Sequence, residues 1–318
     1  MIHIENLSKK YGTIEAIKNI GLHVHRNELF GLIGPDGAGK TTLFRILTTL
    51  LLPDSGTALL KNYNPVTDYK KIRELIGYMP GRFSLYQDLS VQENLNFFAT
   101  VFGTTLAENY DLIADIYKQI EPFKNRLAGK LSGGMKQKLA LSCALIHKPE
   151  ILILDEPTTG VDAVSRREFW QMLKKLREKG ITILVSTPYM DEASLCDRVG
   201  LIQNGSLLTV DTPANIITHF EKKIWAVKAR NKYQLINHIR RFEQTDTVYP
   251  FGEALHVTLK NNPKNCDSLI NYLQSKENKE LTVYSTQATI EDCFMHLMPD
   301  EKREQEVRNR EHREQIKE

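Results

Sequence analysis

Several features that mark common classes of protein are missing from this sequence. The four cysteines lie far apart and form no C-x-x-C pair, so their spacing predicts neither a zinc site nor a disulfide framework. No stretch approaches the roughly 20 consecutive apolar residues that span a bilayer, and the first residues lack the basic and apolar segments of a secretory signal. Basic and acidic residues nearly balance, at 42 and 39, so charge predicts no nucleic-acid partner. We therefore expect a chain of the reducing cytosol, and if it serves a membrane process, another chain must span the membrane.

What the sequence does have is a phosphate-binding pattern between residues 30 and 47. An apolar run leads into Gly34-Pro35-Asp36-Gly37-Ala38-Gly39-Lys40-Thr41-Thr42, which matches G-x-x-x-x-G-K-[ST] in its strand, loop and helix setting. The three glycines remove Cβ atoms that would block converging backbone N–H groups, and the following helix directs its N-terminal dipole at a triphosphate. Lys40 is then placed to neutralise the β- and γ-phosphates, and Thr41 to offer a hydroxyl ligand to Mg²⁺.

Two more stretches carry candidate chemistry. Residues 151–154 form an apolar strand that ends in Asp155 and Glu156, at the edge where open α/β sheets bind ligands. Asp155 is placed to hold Mg²⁺ through water and Glu156 to polarise the water that attacks the γ-phosphate, although such carboxylates also serve as helix caps or solvated strand ends. Ser132-Gly133-Gly134 opens an apolar helix and predicts a second anion-binding N-terminus. Its alternative is an ordinary serine cap followed by flexible glycines.

The spacing of apolar residues predicts an α/β fold for the first part of the chain. Alternating runs within residues 2–25 predict strands at the edge of a sheet, with Tyr11 in a turn. Buried runs at 151–154 and 181–186, separated by a helix, predict a parallel sheet covered on both faces. Three- and four-residue spacing predicts an inserted helical subdomain over residues 82–147.

A second, smaller domain follows. A helix that opens at Thr212-Pro213 is expected to close the first domain near residue 221. Over residues 222–298 the order strand, helix, strand, strand, helix, strand predicts a small α+β domain of ferredoxin-like topology. Residues 299–318 carry dense charges of both signs and predict a solvated tail.

The three chemical stretches, in this order, resemble the nucleotide-binding domain of ABC transporters over residues 1 to about 221. The resemblance implies a P-loop NTPase core with an antiparallel β edge. It also implies that residues 34–42 are the Walker A loop, 131–137 the signature motif, and 151–156 the Walker B strand with its catalytic glutamate. Tyr11 matches the aromatic residue that stacks on the adenine of ATP.

The resemblance also implies partners. In this family two such domains pair head to tail, so each ATP lies between one subunit's Walker A loop and the other's signature helix. Gly160-Val161-Asp162 matches the loop that communicates across the pair. Phe83, Leu85 and Tyr86 match a docking surface for a cytoplasmic helix of a membrane-embedded permease, although core packing is an equally good interpretation.

Two positions depart from the family pattern. Where the family places a glutamine after Tyr78-Met79-Pro80 this chain has Gly81, and where it places a histidine after Ser186-Thr187 this chain has Pro188. Proline offers neither a side-chain donor nor a backbone N–H, and loss of one preorganised donor costs about 3 kcal/mol of barrier. We therefore predict a slow site of its own and an asymmetric pair, in which Ser132 to Gly134 complete the site of a more competent subunit. The alternative is that water or neighbouring residues replace these groups in a working homodimer.

Residues 222–298 resemble the accessory domain of ATPases of drug and polysaccharide export, through Thr289-Ile290-Glu291-Asp292-Cys293-Phe294 near its end. Glu291 and Asp292 are interpreted as a helix cap and its first turn, without chemistry. The sequence thus predicts a peripheral ATPase subunit of an ABC exporter on the cytoplasmic face of the membrane, with ATP and Mg²⁺ as ligands. Its rivals are a regulatory nucleotide-binding subunit that does not turn over, and a soluble ABC protein of translation or repair, for which a second phosphate loop is missing.

Overall fold

The computed structural model describes residues 1–298 and divides into two compact units, the first ending at Pro213 and the second beginning at Ala214. The boundary expected near residue 221 falls inside the second unit. In that unit the Cys293 Sγ donates a hydrogen bond to the Ile216 carbonyl oxygen at 3.5 Å, which joins the helix of residues 213–218 to the helix of residues 290–297. The predicted tail, residues 299–318, lies outside the described residues.

The first unit alternates strands with helices. Its strands are β1 (Ile2–Tyr11), β2 (Ile14–Val24), β3 (Leu29–Ile33), β4 (Ser55–Leu60), β5 (Ile76–Met79), β6 (Ile151–Asp155), β7 (Thr182–Thr187), β8 (Arg198–Gln203) and β9 (Ser206–Asp211). Its helices are α1 (Lys40–Leu47), α2 (Tyr69–Leu75), α3 (Val91–Val101), α4 (Tyr110–Tyr117), α5 (Gly133–Leu145) and α6 (Ala163–Glu178), with a 3₁₀ helix at Met190–Leu195. Helix α7 (Pro213–Thr218) begins with the predicted proline.

A six-stranded sheet in the order β5-β6-β7-β3-β8-β9 forms the centre of the first unit. All neighbours are parallel except β8 and β9, and every residue of β3, β6 and β7 is buried. In register, Ile33 lies beside Thr187, and Asp155 lies beside Ser186. The carboxyl ends of β3, β6 and β7 therefore meet at one edge, which places the phosphate loop beside the two acidic residues.

The strands predicted within residues 2–25 are antiparallel and belong to a sheet of their own, in the order β2-β1-β4. Their inward side chains, such as Ile4 and Leu22, pack in one core with Phe44 and Leu184. Strand β2 passes close to the phosphate loop, because a Cβ atom on Gly39 would lie 2.4 Å from the Ala16 carbonyl oxygen. Tyr11 is the last residue of β1, immediately before the turn at Gly12.

Helices α3, α4 and α5 form the inserted helical segment. Helix α3 begins with a capping box between Ser90 and Glu93. The buried side chain of Asn94 donates to the carbonyl oxygens of Tyr86, Leu89 and Ser90 and accepts from the Tyr86 N–H. Through these bonds one amide fixes the irregular segment before α3 to the helix.

The second unit contains a four-stranded antiparallel sheet in the order β11-β12-β10-β13. Its elements are β10 (Ile224–Lys228), α8 (Lys232–Arg241), β11 (Thr245–Phe251), β12 (Ala254–Leu259), α9 (Asp267–Ser275), β13 (Thr282–Thr286) and α10 (Ile290–Leu297). The order along the chain and across the sheet confirms the predicted ferredoxin-like topology. Side chains of α8 and α9 cover one face of this sheet.

All four cysteines are free and buried. Burial raises the pKa of Cys143, Cys196 and Cys266, and raises that of Cys293 to about 12.

None of the helices between residues 1 and 298 combines the length and apolar character that crossing a bilayer requires.

Candidate functional site

The phosphate loop runs from the end of β3 to the start of α1, and its glycines have different roles. Gly37 and Gly39 have φ angles of 78° and 105°, which residues other than glycine rarely adopt. A Cβ atom on Gly34 would lie 2.2 Å from the Ile202 carbonyl oxygen, and one on Gly39 would lie 2.4 Å from that of Ala16. Backbone conformation therefore requires glycine at 37 and 39, and close packing requires it at 34 and 39.

Lys40 lies at the start of α1 and is only 3% exposed. Its Nζ donates to the carbonyl oxygens of Gly34, at 2.7 Å, and Pro35, at 3.0 Å. The same Nζ lies 3.0 Å from Glu156 Oε1. A buried ammonium group needs such partners, and they hold the cation over the loop that the sequence assigns to phosphate.

Asp155 and Glu156 follow one another at the end of β6 but have different surroundings. The carboxylate of Asp155, which is 2% exposed, accepts a hydrogen bond of 2.7 Å from the Ser186 hydroxyl. Glu156 adopts a left-handed backbone with φ of 49°, and its side chain is partly exposed. Its N–H donates both to the Ser186 carbonyl oxygen, at 3.1 Å, and to the Ser186 hydroxyl, at 3.0 Å.

The residues present fit a magnesium nucleotide. The hydroxyl of Thr41 and the carboxylate of Asp155 are the hard oxygen donors that Mg²⁺ prefers. Within residues 1–298 no cluster of three histidine, cysteine, aspartate or glutamate residues could hold a metal by itself. A metal that keeps waters and shares phosphate oxygens agrees with such a sparse donor set, since Mg²⁺ in nucleotide sites takes few ligands from the protein. Thr42, the next residue of α1, is half-buried.

Ser132, Gly133 and Gly134 form the start of α5. The Ser132 hydroxyl accepts a hydrogen bond from the Met135 N–H at 3.4 Å and caps the helix. A Cβ atom on Gly134 would lie 2.6 Å from the Ser165 hydroxyl in the first turn of α6. In the described part of the chain no hydrogen bond joins Ser132, Gly133 or Gly134 to the chain's own phosphate loop.

Tyr11, predicted to stack on adenine, is 45% exposed at the end of β1. It precedes Gly12, which has φ of 59°, so the ring lies at the end of the central strand of the antiparallel sheet, beside the turn into β2. Its role stays a prediction. Asp36, another residue of the predicted loop, is exposed, whereas Ala38 is buried.

The two departures from the family pattern lie at this edge. A Cβ atom on Gly81 would lie 3.1 Å from the Asp155 carbonyl oxygen, so the segment after β5 passes close to the acidic pair without offering a side chain. Pro188 follows β7 directly. Next to it, the buried carboxylate of Glu192 accepts hydrogen bonds from Thr187 and, at 3.2 Å, from Thr158.

Sequence reasoning missed Ser186 and Glu192. Ser186 could have been found by aligning the ends of β6 and β7, which puts it directly beside Asp155. Glu192 had no such signal, because its partners come from segments that only the folded chain brings together.

Between the helical segment and the central sheet lies an apolar groove with a volume of about 450 Å³. Its lining residues include Leu50, Tyr78, Phe83, Leu85 and Val101. Val101 is 61% exposed. Burial, with the nearby carboxylate of Asp155, raises the pKa of Tyr78 to about 12, so its hydroxyl stays protonated.

Of the three residues predicted to dock a permease, two line this groove and the third lies outside its lining. Phe83 lies on its wall, with the Lys136 ammonium 5.5 Å from the ring centroid. Leu85 also lines it but is 8% exposed. Tyr86 is exposed outside the lining and makes an edge-to-face contact with Phe97 at 4.8 Å.

A sequence family described as ABC transporter matches residues 17–159. The chain is 36% identical over 304 residues to "Probable multidrug ABC transporter ATP-binding protein YbhF" of Escherichia coli (strain K12), covering 94% of this chain and 52% of that protein. It thus spans about half the length of that relative. "Linearmycin resistance ATP-binding protein LnrL" of Bacillus subtilis (strain 168) is 36% identical over 220 residues, which are 68% of this chain and 70% of LnrL.

A similar solved structure is the dimeric post-hydrolysis state of the ATP-binding cassette MJ0796 bound to ADP and Pi. The two share 28% identity with a TM-score of 0.60, over 67% of this chain and 98% of that one. Extended identity to LnrL, the phosphate loop facing Glu156, and a shared cassette fold lead to one assignment: the chain belongs to the ABC transporter family of ATP-binding proteins.

Proposed function

We propose that this chain binds and hydrolyses ATP to drive an ABC exporter, working at the cytoplasmic face of the membrane through separate permease chains. The observation that carries the proposal is the contact of Lys40 with Glu156 at 3.0 Å across the phosphate loop. It brings a phosphate-binding cation and a candidate general base to one point. Export is supported by the names of the relatives, which include multidrug transport, linearmycin resistance and Nod factor export.

In the proposed reaction the chain's own groups act in sequence. Entry of the triphosphate displaces Lys40 from the carbonyl oxygens of Gly34 and Pro35, and the ammonium group then neutralises phosphate charge. The loop N–H groups and the α1 dipole hold the remaining phosphate oxygens. Mg²⁺, when bound through Thr41 and Asp155, supplies charge neutralisation. Glu156, released from Lys40, orients and polarises the attacking water.

We further propose that this site is slow and that the chain works in an asymmetric pair. Gly81 and Pro188 supply no side-chain donor at the edge where phosphate charge develops, and each lost donor typically costs a hundred- to thousand-fold in rate. The start of α5 retains its serine cap and both glycines. Ser132, Gly133 and Gly134 would then complete the ATP site of a second, more competent subunit, and ATP would close the pair by binding its closed state more tightly.

The apolar groove supports a permease as the other partner. Exposed apolar patches of this kind mark interaction sites, and Leu50 and Val101 lie exposed on its wall. We propose that a cytoplasmic helix of the permease docks here, so that closure of the pair moves the membrane-embedded chains.

One observation favours a second candidate. Because Gly81 and Pro188 stand where the family has glutamine and histidine, the chain is also compatible with a regulatory subunit that binds ATP and does not turn it over. Such a subunit would still bind ATP through Lys40 and Asp155 but would not hydrolyse it.

The first experiment compares MgATP turnover of the purified chain with that of Glu156→Gln, and counts bound nucleotide after gel filtration. We expect bound ATP in both proteins, and turnover in the wild type that is slow and that Glu156→Gln lowers further. Ordinary turnover that Glu156→Gln abolishes would contradict the slow site and favour a homodimeric ATPase. Absence of bound nucleotide would contradict the proposed function as a whole.

A further inference from the structure

We propose that Ser186 is a positioning residue that sets the geometry of both acidic groups, Asp155 and Glu156. The inference rests on the proposed binding of MgATP at this site. It assigns to a single hydroxyl on β7 the task of holding the metal-binding carboxylate and the general base in a fixed relation.

The hydrogen bonds of this hydroxyl are complementary. The Ser186 Oγ donates to Asp155 Oδ1 at 2.7 Å and accepts from the Glu156 N–H at 3.0 Å. Ser186 lies directly beside Asp155 in the parallel register of β6 and β7 and has no exposed surface. Because the side chain is enclosed, its donor and acceptor sites are directed at these two neighbours and do not exchange with water.

The backbone conformation of Glu156 explains why this residue needs hydrogen bonds that hold it in place. A glutamate with φ of 49° is in a region that residues with side chains seldom adopt. Such strained residues persist where surrounding contacts over-determine them, and they cluster at active sites. Here the Glu156 N–H is held by two atoms of Ser186, the carbonyl oxygen at 3.1 Å and the hydroxyl. The turn directs the Glu156 side chain toward Lys40.

The surroundings leave Ser186 without a substitute. Within residues 1–298 it provides the only side-chain hydrogen bond to Asp155. Gly81 passes beside the Asp155 carbonyl oxygen without a side chain, and Pro188, two residues after Ser186, has no donor. Groups that orient a metal ligand typically contribute ten- to hundred-fold in metal affinity or activity, so we expect the loss of this hydroxyl to be felt in both.

The test compares Ser186→Ala with wild type in a titration of MgCl₂ at fixed ATP, following retained nucleotide and turnover separately. We expect Ser186→Ala to need about 10–100-fold more Mg²⁺ for half-maximal retention and to bind ATP as wild type does when EDTA is present. The matched control is Ser142→Ala, which removes another fully buried serine hydroxyl, bonded to the Lys138 carbonyl oxygen within α5. It should keep the Mg²⁺ requirement of the wild type.

A second pair of variants separates the effect of the hydroxyl group from the effect of side-chain volume. Ser186→Thr keeps the hydroxyl and Ser186→Val replaces it by a methyl group of similar size, so only the threonine variant should preserve the low Mg²⁺ requirement. Equal Mg²⁺ requirements in Ser186→Ala and wild type, or in the threonine and valine variants, would overturn the proposal. Failure of hydrolysis in the wild type leaves the retention measurement in force, so the two proposals fail separately. A wild-type chain that retains no nucleotide would overturn both.

Discussion

Gly134 shows how one hydrogen atom in place of a methyl group joins two functional segments. The space that a Cβ atom would take is filled by the Ser165 hydroxyl, 2.6 Å away, and by the Ser165 Cβ, 2.9 Å away. Ser165 in turn donates its N–H to the carboxylate of Asp162, which caps α6. The start of α5 and the segment after β6 are therefore packed against each other through a glycine.

From this contact we expect the effect of Gly134→Ala to change sign with its neighbour. In the wild-type chain the added methyl group overpacks the contact and should lower the free energy of unfolding by about 1–2 kcal/mol. In a Ser165→Gly background the space is open, and the helix propensity of alanine should raise that free energy by up to about 1 kcal/mol. Urea unfolding of the four proteins measures both effects. Additive changes would show that the two residues do not share this space.

At the same scale, the sequence predicted which residues meet but not what holds them. The phosphate-loop pattern and the strand ending in two acids sufficed to place Lys40 near Glu156, because parallel strands share one carboxyl edge. The hydrogen bond of Ser186 to Asp155 depends on the register of two strands. The hydrogen bonds of Glu192 depend on Thr158 and Thr187 lying close to it in the folded chain. A local sequence pattern predicts neither. The roles proposed for these residues stay predictions.

Among the elements, helix α10 adds a layer that the ferredoxin-like pattern did not predict. Its residue Asp292, interpreted from the sequence as a cap, does form a capping box with Thr289. It is also 1% exposed and accepts hydrogen bonds from Tyr249 on β11 and from His256 on β12, the latter at 2.7 Å. The helix is thus bonded to the sheet through a buried carboxylate, and the sequence assigned that carboxylate to the helix alone.

Stability of the second unit should therefore depend on pH through Asp292. Burial alone would raise the pKa of this carboxyl, but the hydrogen bonds from His256, Thr289 and Tyr249 outweigh burial and hold the pKa below its usual value. The unfolded chain then binds the proton more tightly than the folded chain, so the stabilisation is complete above about pH 4 and is lost as pH falls through the folded-state pKa. We expect Asp292→Asn to lower the free energy of unfolding by about 1–3 kcal/mol at neutral pH, and the difference from wild type to shrink in acid.

The control for that measurement is Asp267→Asn, the same change at an exposed residue in the first turn of α9. Denaturant unfolding of both variants across the acid range would test the expectation. A constant difference between Asp292→Asn and wild type at every pH would contradict it.

Element bounds were largely predictable, and the exceptions have physical causes. The sequence predicts helices over residues 69–76, 163–179, 232–243 and 265–275, and α2, α6, α8 and α9 begin and end within two residues of these limits. Strands β8 and β9 were not predicted, although the Asn204-Gly205 pair between them is a strong hairpin signal. Both residues have positive φ, 48° and 80°, so the turn chemistry was present in the sequence. The separation of the antiparallel strands into their own sheet could not be predicted, since pairing partners lie far apart along the chain.

For the whole molecule, the start of α5 makes no hydrogen bond to the chain's own phosphate loop within the described residues, which leads to a test of assembly. If Ser132 to Gly134 serve a partner's ATP, then Ser132→Arg should place a cation and a long side chain against that partner's phosphates. We expect a mixture of this variant with the second subunit to hydrolyse ATP at least tenfold more slowly than the mixture with wild type. Ser268→Arg, an exposed change in the second unit, is the control. Unchanged hydrolysis with Ser132→Arg would refute the asymmetric pair.

The buried cysteines have a practical consequence for observing such a pair. Thiol-directed dyes react with thiolates, and the four native thiols are enclosed, with pKa values raised by burial. A single cysteine introduced at Val164, which is 69% exposed at the start of α6, would then be the reactive position on the folded chain. The native sequence thus provides a silent background for fluorescence energy transfer, and the approach of two cassettes can be followed in real time without first removing a cysteine.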